Sequence, residues 1–281
     1  MNITKFISIS LLLASFSVFS GHSQEKAKYK SAYQFDYLCD TIKMEYFRPE
    51  TYIVQIGDNI TKGFTYQKFY LDSLMTHNPK LHSELFKISV KESIETMRKT
   101  GDISHVRNNS FTYGSFASDL YKDYKKNEIY VRDNISTYSF LYKDELKPQD
   151  WEILSDTATI LGYACQKAQC HYRGRDWEAW FTTEIPISEG PWKFYGLPGL
   201  ITKLHDRKKH YSFELIGFQE VNETIETKIS KNIQKIDRKD FLRAKMGDKA
   251  NQITQADLAK LGINSSGSSQ RQYDYIELDY K

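Results

Sequence analysis

Between residues 29 and 40, large apolar side chains fall on alternate positions. Tyr29, Tyr33, Phe35, Tyr37 and Cys39 share one face, while Lys30, Gln34, Asp36 and Asp40 share the other. A period of two marks a strand with one buried face; a helix brings residues three and four apart onto one face instead. The bias runs through the whole chain, which holds 20 Tyr and 16 Phe but only 6 Pro in 281 residues. Aromatic side chains of this kind pack well on a pleated surface. Further strands are expected at residues 52–56, 128–132, 135–142, 151–154, 159–172, 177–182, 200–205 and 210–221. Turns are expected at Asp133-Asn134, Ser155-Asp156-Thr157, Arg173-Gly174-Arg175-Asp176 and Asp206-Arg207-Lys208-Lys209.

Helical signals are few. Asn78-Pro79 reads as a cap and first helical position before Leu81, Leu85 and Phe86. Thr254 and Asp257 form a capping-box-like pair before Leu258 and Leu261, and Gly262 ends that pattern. Residues 91–118 are polar and weakly periodic and read as loop or irregular strand. Residues 265–269 read as a linker before a last extended piece at 273–280. The expectation is a mainly β fold: residues 24–281 form a single domain with a strongly curved antiparallel sheet or incomplete barrel, plus a few peripheral helices.

Residues 1–23 read as an export signal. Lys5 gives a positive start, residues 6–19 are apolar and laced with Ser, and small residues follow. Cleavage is expected after Ser23, with Ser20 as the alternative. The apolar stretch is shorter than the roughly 20 residues that span a bilayer, and no later stretch reaches that length. No Cys precedes Cys39, so no lipid anchor is expected and the destination is the periplasm or the exterior. The net charge of +3 comes from 39 basic and 36 acidic residues with no basic stripe, too little to imply a nucleic-acid surface, and no nucleic-acid partner is expected. An oxidising compartment favours one disulfide among three Cys. Cys165 and Cys170 sit on one expected strand, about 16 Å apart if extended, beyond disulfide reach. The pairing is therefore Cys39 with Cys165 or Cys39 with Cys170.

Segment 185–201 carries Pro186, Pro191 and Pro198, Gly190, Gly196 and Gly199, and the aromatic run Trp192, Phe194 and Tyr195. So many Pro and Gly residues exclude a paired strand or a helix, so this is a rigid loop with a hydrophobic footing. Gly196-Leu197-Pro198-Gly199-Leu200-Ile201 spells the signature of the GLPGLI family of exported Bacteroidetes-type proteins, which the chain resembles. The flanks agree: Gly162-Tyr163, Cys165, Lys167-Ala168, Arg173-Gly174-Arg175, Ala179-Trp180-Phe181-Thr182 and Ile185-Pro186-Ile187-Ser188. The resemblance implies an envelope or secreted location and a domain without an assigned activity. Cys170 lies outside that motif, so the resemblance favours Cys170 over Cys165 as the leftover thiol. In outline the chain is also similar to the curved-sheet lipoprotein carriers of the bacterial envelope.

No metalloprotease, nucleophile-elbow or phosphate-loop motif is present, and no cofactor is expected. The first functional expectation is a non-enzymatic binding or carrier protein for an apolar ligand or a protein partner. Its aromatic-lined cavity would have Trp180, Trp192, Phe194 and residues Gly196, Leu197, Pro198, Gly199, Leu200 and Ile201 at the mouth. Arg173 and Arg175 would grip an anionic group by bidentate bonds. The structural alternative makes the loop a core plug and leaves the arginines solvated. A second expectation is a hydrolytic or metal-assisted envelope enzyme on His205, Asp206 and His210. A third is an assembly partner of an outer-membrane protein, displaying the loop.

Overall fold

The structure is a computed structural model that describes residues 25–40, 45–46, 49–100, 116, 118–135, 138–227, 233–247 and 274–280. The expected helix at 254–261 lies outside them, as does the export signal.

The strands are β1 (Lys26–Asp40), β2 (Glu45–Tyr46), β3 (Glu50–Ile56), β4 (Ile60–Thr65), β5 (Asp119–Asp123), β6 (Glu128–Ile135), β7 (Tyr138–Glu145), β8 (Glu152–Ile160), β9 (Tyr163–Tyr172), β10 (Arg175–Thr182), β11 (Leu200–Asp206), β12 (Tyr211–Thr224) and β13 (Gln234–Lys235). Among the described residues three helices accompany them: α1 (Tyr66–His77), α2 (Pro79–Thr100) and α3 (Arg238–Gly247). All described strands join one sheet in the order β13-β7-β6-β5-β4-β3-β1-β12-β11-β10-β9-β8, with β2 on the flank of β1. The fold is mainly β and unclosed, as expected, except that β13 runs parallel to β7.

The sheet curves until its two wings meet. Asp144 on β7 touches Arg173 beside β9, although these strands stand near opposite ends of the order. The concave face holds the core. Phe35 stacks on Phe213 with ring centroids 4.3 Å apart; Phe35 also contacts Tyr37, Tyr52, Phe116 and Tyr211, and Phe213 contacts Tyr52 and Phe116. Phe35 and Tyr37 are inward residues of the alternating β1 pattern, and Tyr211 and Phe213 belong to its pairing partner β12.

Several boundaries differ from the sequence reading. Asp133-Asn134 is not a turn but lies within β6, where buried Asp133 is satisfied by Lys245 from α3 and by the Tyr275 hydroxyl at 3.4 Å. Ser155-Asp156-Thr157 likewise lies inside β8, at a register irregularity, and the turn falls at Leu161-Gly162, both with positive φ. Residues 91–100 continue α2 rather than forming a loop. Helix α2 does start at Asn78-Pro79, with the Asn78 side chain accepting from the Leu81 N–H at 3.2 Å. Its periodicity was weak because Ser89 and Ser93 lie on the buried face, while Phe86, Ile88 and Val90 are exposed. Residues 274–280 join no strand ladder.

Candidate functional site

The loop between β10 and β11 is built into the molecule rather than laid over it. Trp192 packs on Phe116 at 4.5 Å and Phe194 on Trp177 at 4.6 Å, with exposures of only 2% and 0%. Leu197, Leu200 and Ile201 are also buried, and only Gly196 and Pro198 of the signature reach the surface. Trp192 holds φ at +56°, in the left-handed region that bulky residues avoid. Such a conformation persists where packing over-determines it, as the Phe116 contact does here. Trp180 does not join this group. Trp177, Ala179 and Phe181 point into the core, so strand alternation sends Trp180 to the outer face beneath Lys167, 5.9 Å from its ring. The rings and aliphatic side chains of the signature loop therefore belong to the core, while Trp180 lies outside it.

The loop is anchored to the far side of the sheet by a buried cation. Lys122 on β5 donates to Glu189 at 2.7 Å and to the Phe194 carbonyl at 2.9 Å. Glu189 also accepts from Thr61 at 2.6 Å and from the Tyr124 hydroxyl. Burial lowers the Lys122 pKa, partly offset by the adjacent Glu189 charge.

Lys193 carries its ammonium past the Trp192 ring, 5.5 Å away, into the seam where the wings meet. It is fully buried, 2.8 Å from Asp144 of β7, and pairs with Glu277. Arg173, at the β9–β10 turn, reaches Asp144 at 2.5 Å and Asp279 at 3.0 Å. The turn itself is a tight one, with φ of +53° at Arg173 and +79° at Gly174. Arg238, the first residue of α3, contacts Glu277 at 2.5 Å and Asp279 at 2.6 Å. Three cations and three carboxylates thus close the gap that backbone pairing leaves open.

The titration behaviour follows. Burial alone would raise Asp144, but the charges of Lys193, Arg173 and Arg238 hold it below the usual carboxylate range. Asp279 is lowered to about 2: its partial burial is outweighed by the hydrogen bonds and charges of Arg238 and Arg173. Burial would lower Lys193, yet the Glu277 charge, with Tyr142 and Asp144 behind it, leaves it raised.

Two of those carboxylates belong to residues 274–280, which lie in the seam like a bound peptide. Arg175 donates to three successive carbonyls: Asp274 at 3.4 Å, Tyr275 at 2.7 Å and Ile276 at 3.0 Å. The Tyr211 hydroxyl also donates to the Asp274 carbonyl, at 2.8 Å, and the Leu278 N–H donates to the Arg173 carbonyl at 2.8 Å. Tyr275, Ile276, Glu277 and Tyr280 are buried by the arrangement.

Arg173 thus meets two carboxylates of the chain itself, while Arg175 meets Asp206 and a row of backbone carbonyls. Asp144, Lys193, Arg238, Glu277 and Asp279 were not read from the sequence. Only Lys193 left a signal, as a charge between two aromatic residues in an apolar loop.

The histidine set does not assemble. Asp206 accepts from Arg175 at 3.0 Å and from the Tyr211 N–H at 2.8 Å. His210 lies on the same side, 3.4 Å from Arg175, and burial lowers its pKa. His205 points to the other face, near Glu178. Among the described residues, no three His, Cys, Asp or Glu side chains gather to hold a metal ion. Cys165 and Cys170 are free and buried; burial pushes the Cys170 thiol up to about 12. The side chain of Cys39 lies outside the described residues.

A family model described as a protein of unknown function (Porph_ging) matches residues 172–203. That span runs from the end of β9 through the arginine turn, β10 and the signature loop into β11. No curated protein matches the chain. Among solved structures, the chain is similar to PNGF-II in a P21 crystal form, with 16% identity and a TM-score of 0.47, over 78% of this chain and 33% of that one. The C2 form of PNGF-II gives 16% identity and a TM-score of 0.48, over 79% and 33%. The chain thus spans about a third of the length of those structures.

Proposed function

We propose that this protein is an exported, non-enzymatic binding protein of the periplasm or cell exterior. What it binds is a polypeptide segment of a partner, held at the seam, rather than a small apolar molecule behind the signature loop. One observation carries this reading: Arg175 donates to three successive backbone carbonyls, which is recognition of a main chain. A small apolar ligand has no such row of acceptors. Around that contact, Arg173, Lys193 and Arg238 supply cations for acidic side chains, and Arg groups bind carboxylates with defined geometry. The signature loop and the β9–β10 hairpin form the scaffold, since rigid supports commonly carry binding residues. The leader-like first 23 residues support export.

The test titrates a labelled peptide of sequence Asp-Tyr-Ile-Glu-Leu-Asp-Tyr-Lys onto the full chain, both wild type and Glu277→Gln/Asp279→Asn. Binding by either protein is expected, and Arg173→Glu in the same background should remove it. Absence of binding from both folded proteins overturns the reading.

A further inference from the structure

Resting on that reading, we propose that the seam is a peptide-recognition groove kept occupied by the chain's own residues 274–280. A partner segment must displace it, and that segment is acidic and aromatic, with two carboxylates two residues apart between large apolar side chains.

The groove side and the occupant side are separable. Arg173, Arg175, Lys193, Tyr211 and Arg238 are placed by the β9–β10 turn, β10, the signature loop, β12 and α3. None of these elements includes residues 274–280. The occupant adds no strand to the sheet, so its departure breaks no ladder. What it supplies is specific. Glu277 meets Lys193 and Arg238, and Asp279 meets Arg173 and Arg238. Tyr275 and Ile276 go into the core at 1% exposure each, and the Tyr280 ring is buried at the far end.

Charge favours an occupied groove. With the tail in place, three cations face three carboxylates. Without it, Arg173, Lys193 and Arg238 face Asp144 alone, and cations withdrawn from water without partners are costly. A groove prepared in this way binds the next suitable anionic segment. The main-chain contacts of Arg175 and Tyr211 require that segment to be polypeptide and fix its direction. The carboxylate spacing and the buried rings set its side chains. The tail then acts as a competitor at high effective concentration, and the partner's apparent affinity falls by the fraction of open groove.

The experiment compares two full-length proteins, wild type and Glu277→Gln/Asp279→Asn, with the labelled peptide as probe. Folding of each is first checked by thermal melting. Weakening the tail is expected to tighten peptide binding by about tenfold or more, because the open fraction rises. A peptide with Gln and Asn in place of its Glu and second Asp should bind neither protein well. If the double variant does not fold, Asp279→Asn replaces it, with a several-fold gain expected. Equal affinity of wild type and variant would show that the tail is no barrier and overturn this inference, leaving peptide recognition standing. No binding to either protein would remove both.

Discussion

Lys193 and Asp144 meet at 2.8 Å across the open seam, one from the loop between β10 and β11 and the other from β7 on the opposite wing. The residues flanking Lys193, Trp192 and Phe194, enter the core, and the Trp192 ring lies 5.5 Å from the ammonium. One tripeptide therefore joins the sheet's two structural problems. Its rings fill the concave face, and its charge closes the gap where strand pairing stops. Edges left unpaired are a liability for a sheet, and here the two wings are joined by ion pairs and a docked segment.

Lys193→Ala should be among the most destabilising single changes in the seam. It leaves Asp144 and Glu277 buried without their shared cation. Breaking a buried ion pair from one side costs about 3–5 kcal/mol. Urea denaturation of the full chain measures this directly. A loss under about 1 kcal/mol would mean that water or Arg238 can replace the ammonium without penalty.

The seam should be acid-sensitive in a defined window. Asp279 is held at about 2, below its free-chain value of 3.8, and Asp144 is lowered as well. A carboxylate depressed in the folded state adds stability that is complete above the free-chain value. That stability is lost as pH falls through the folded value. The melting temperature should therefore fall most steeply between about pH 4 and pH 2. Asp279→Asn should flatten the slope there while lowering stability at neutral pH. An unchanged acid limb in that variant would separate Asp279 from the transition.

Gly199 and Gly162 should respond differently to alanine. A Cβ on Gly199 would lie 2.0 Å from the Thr182 carbonyl oxygen, a contact with backbone that cannot swing aside. A Cβ on Gly162 would meet nothing within 4 Å, although its φ of +85° makes the substitution strained. Gly162→Ala should cost about 1–2 kcal/mol, the usual left-handed penalty. Gly199→Ala should cost more than about 4 kcal/mol or prevent folding. Similar melting temperatures for the two variants would show that the loop can shift away from β10.

Much of the framework was legible because it depends on local pattern. The alternation of Tyr33, Phe35 and Tyr37 placed a half-buried strand, and that strand lies near the middle of the sheet. The density of Pro and Gly in residues 185–201 identified a rigid loop with an apolar footing, and its rings are buried. Polar residues inside strands misled the reading. Asp133 looks like a turn residue until Lys245 arrives from α3, more than a hundred positions later. In α2 the inward Ser89 and Ser93 removed the periodicity that marks a helix.

By itself, then, the sequence determined the β class, the position of the loop and the presence of Arg173 and Arg175 at one hairpin turn. Each of these follows from residues near one another in the chain. Only the tertiary structure decided that Trp180 faces away from Trp192, because side-chain direction on β10 depends on which face the core claims. It alone decided that Arg173, Lys193 and Arg238 converge on Asp144, Glu277 and Asp279. Those six residues come from five separate segments, and their attraction acts only once sheet curvature has brought the wings together. Burial then makes each unpaired charge costly, and that cost selects one arrangement of partners.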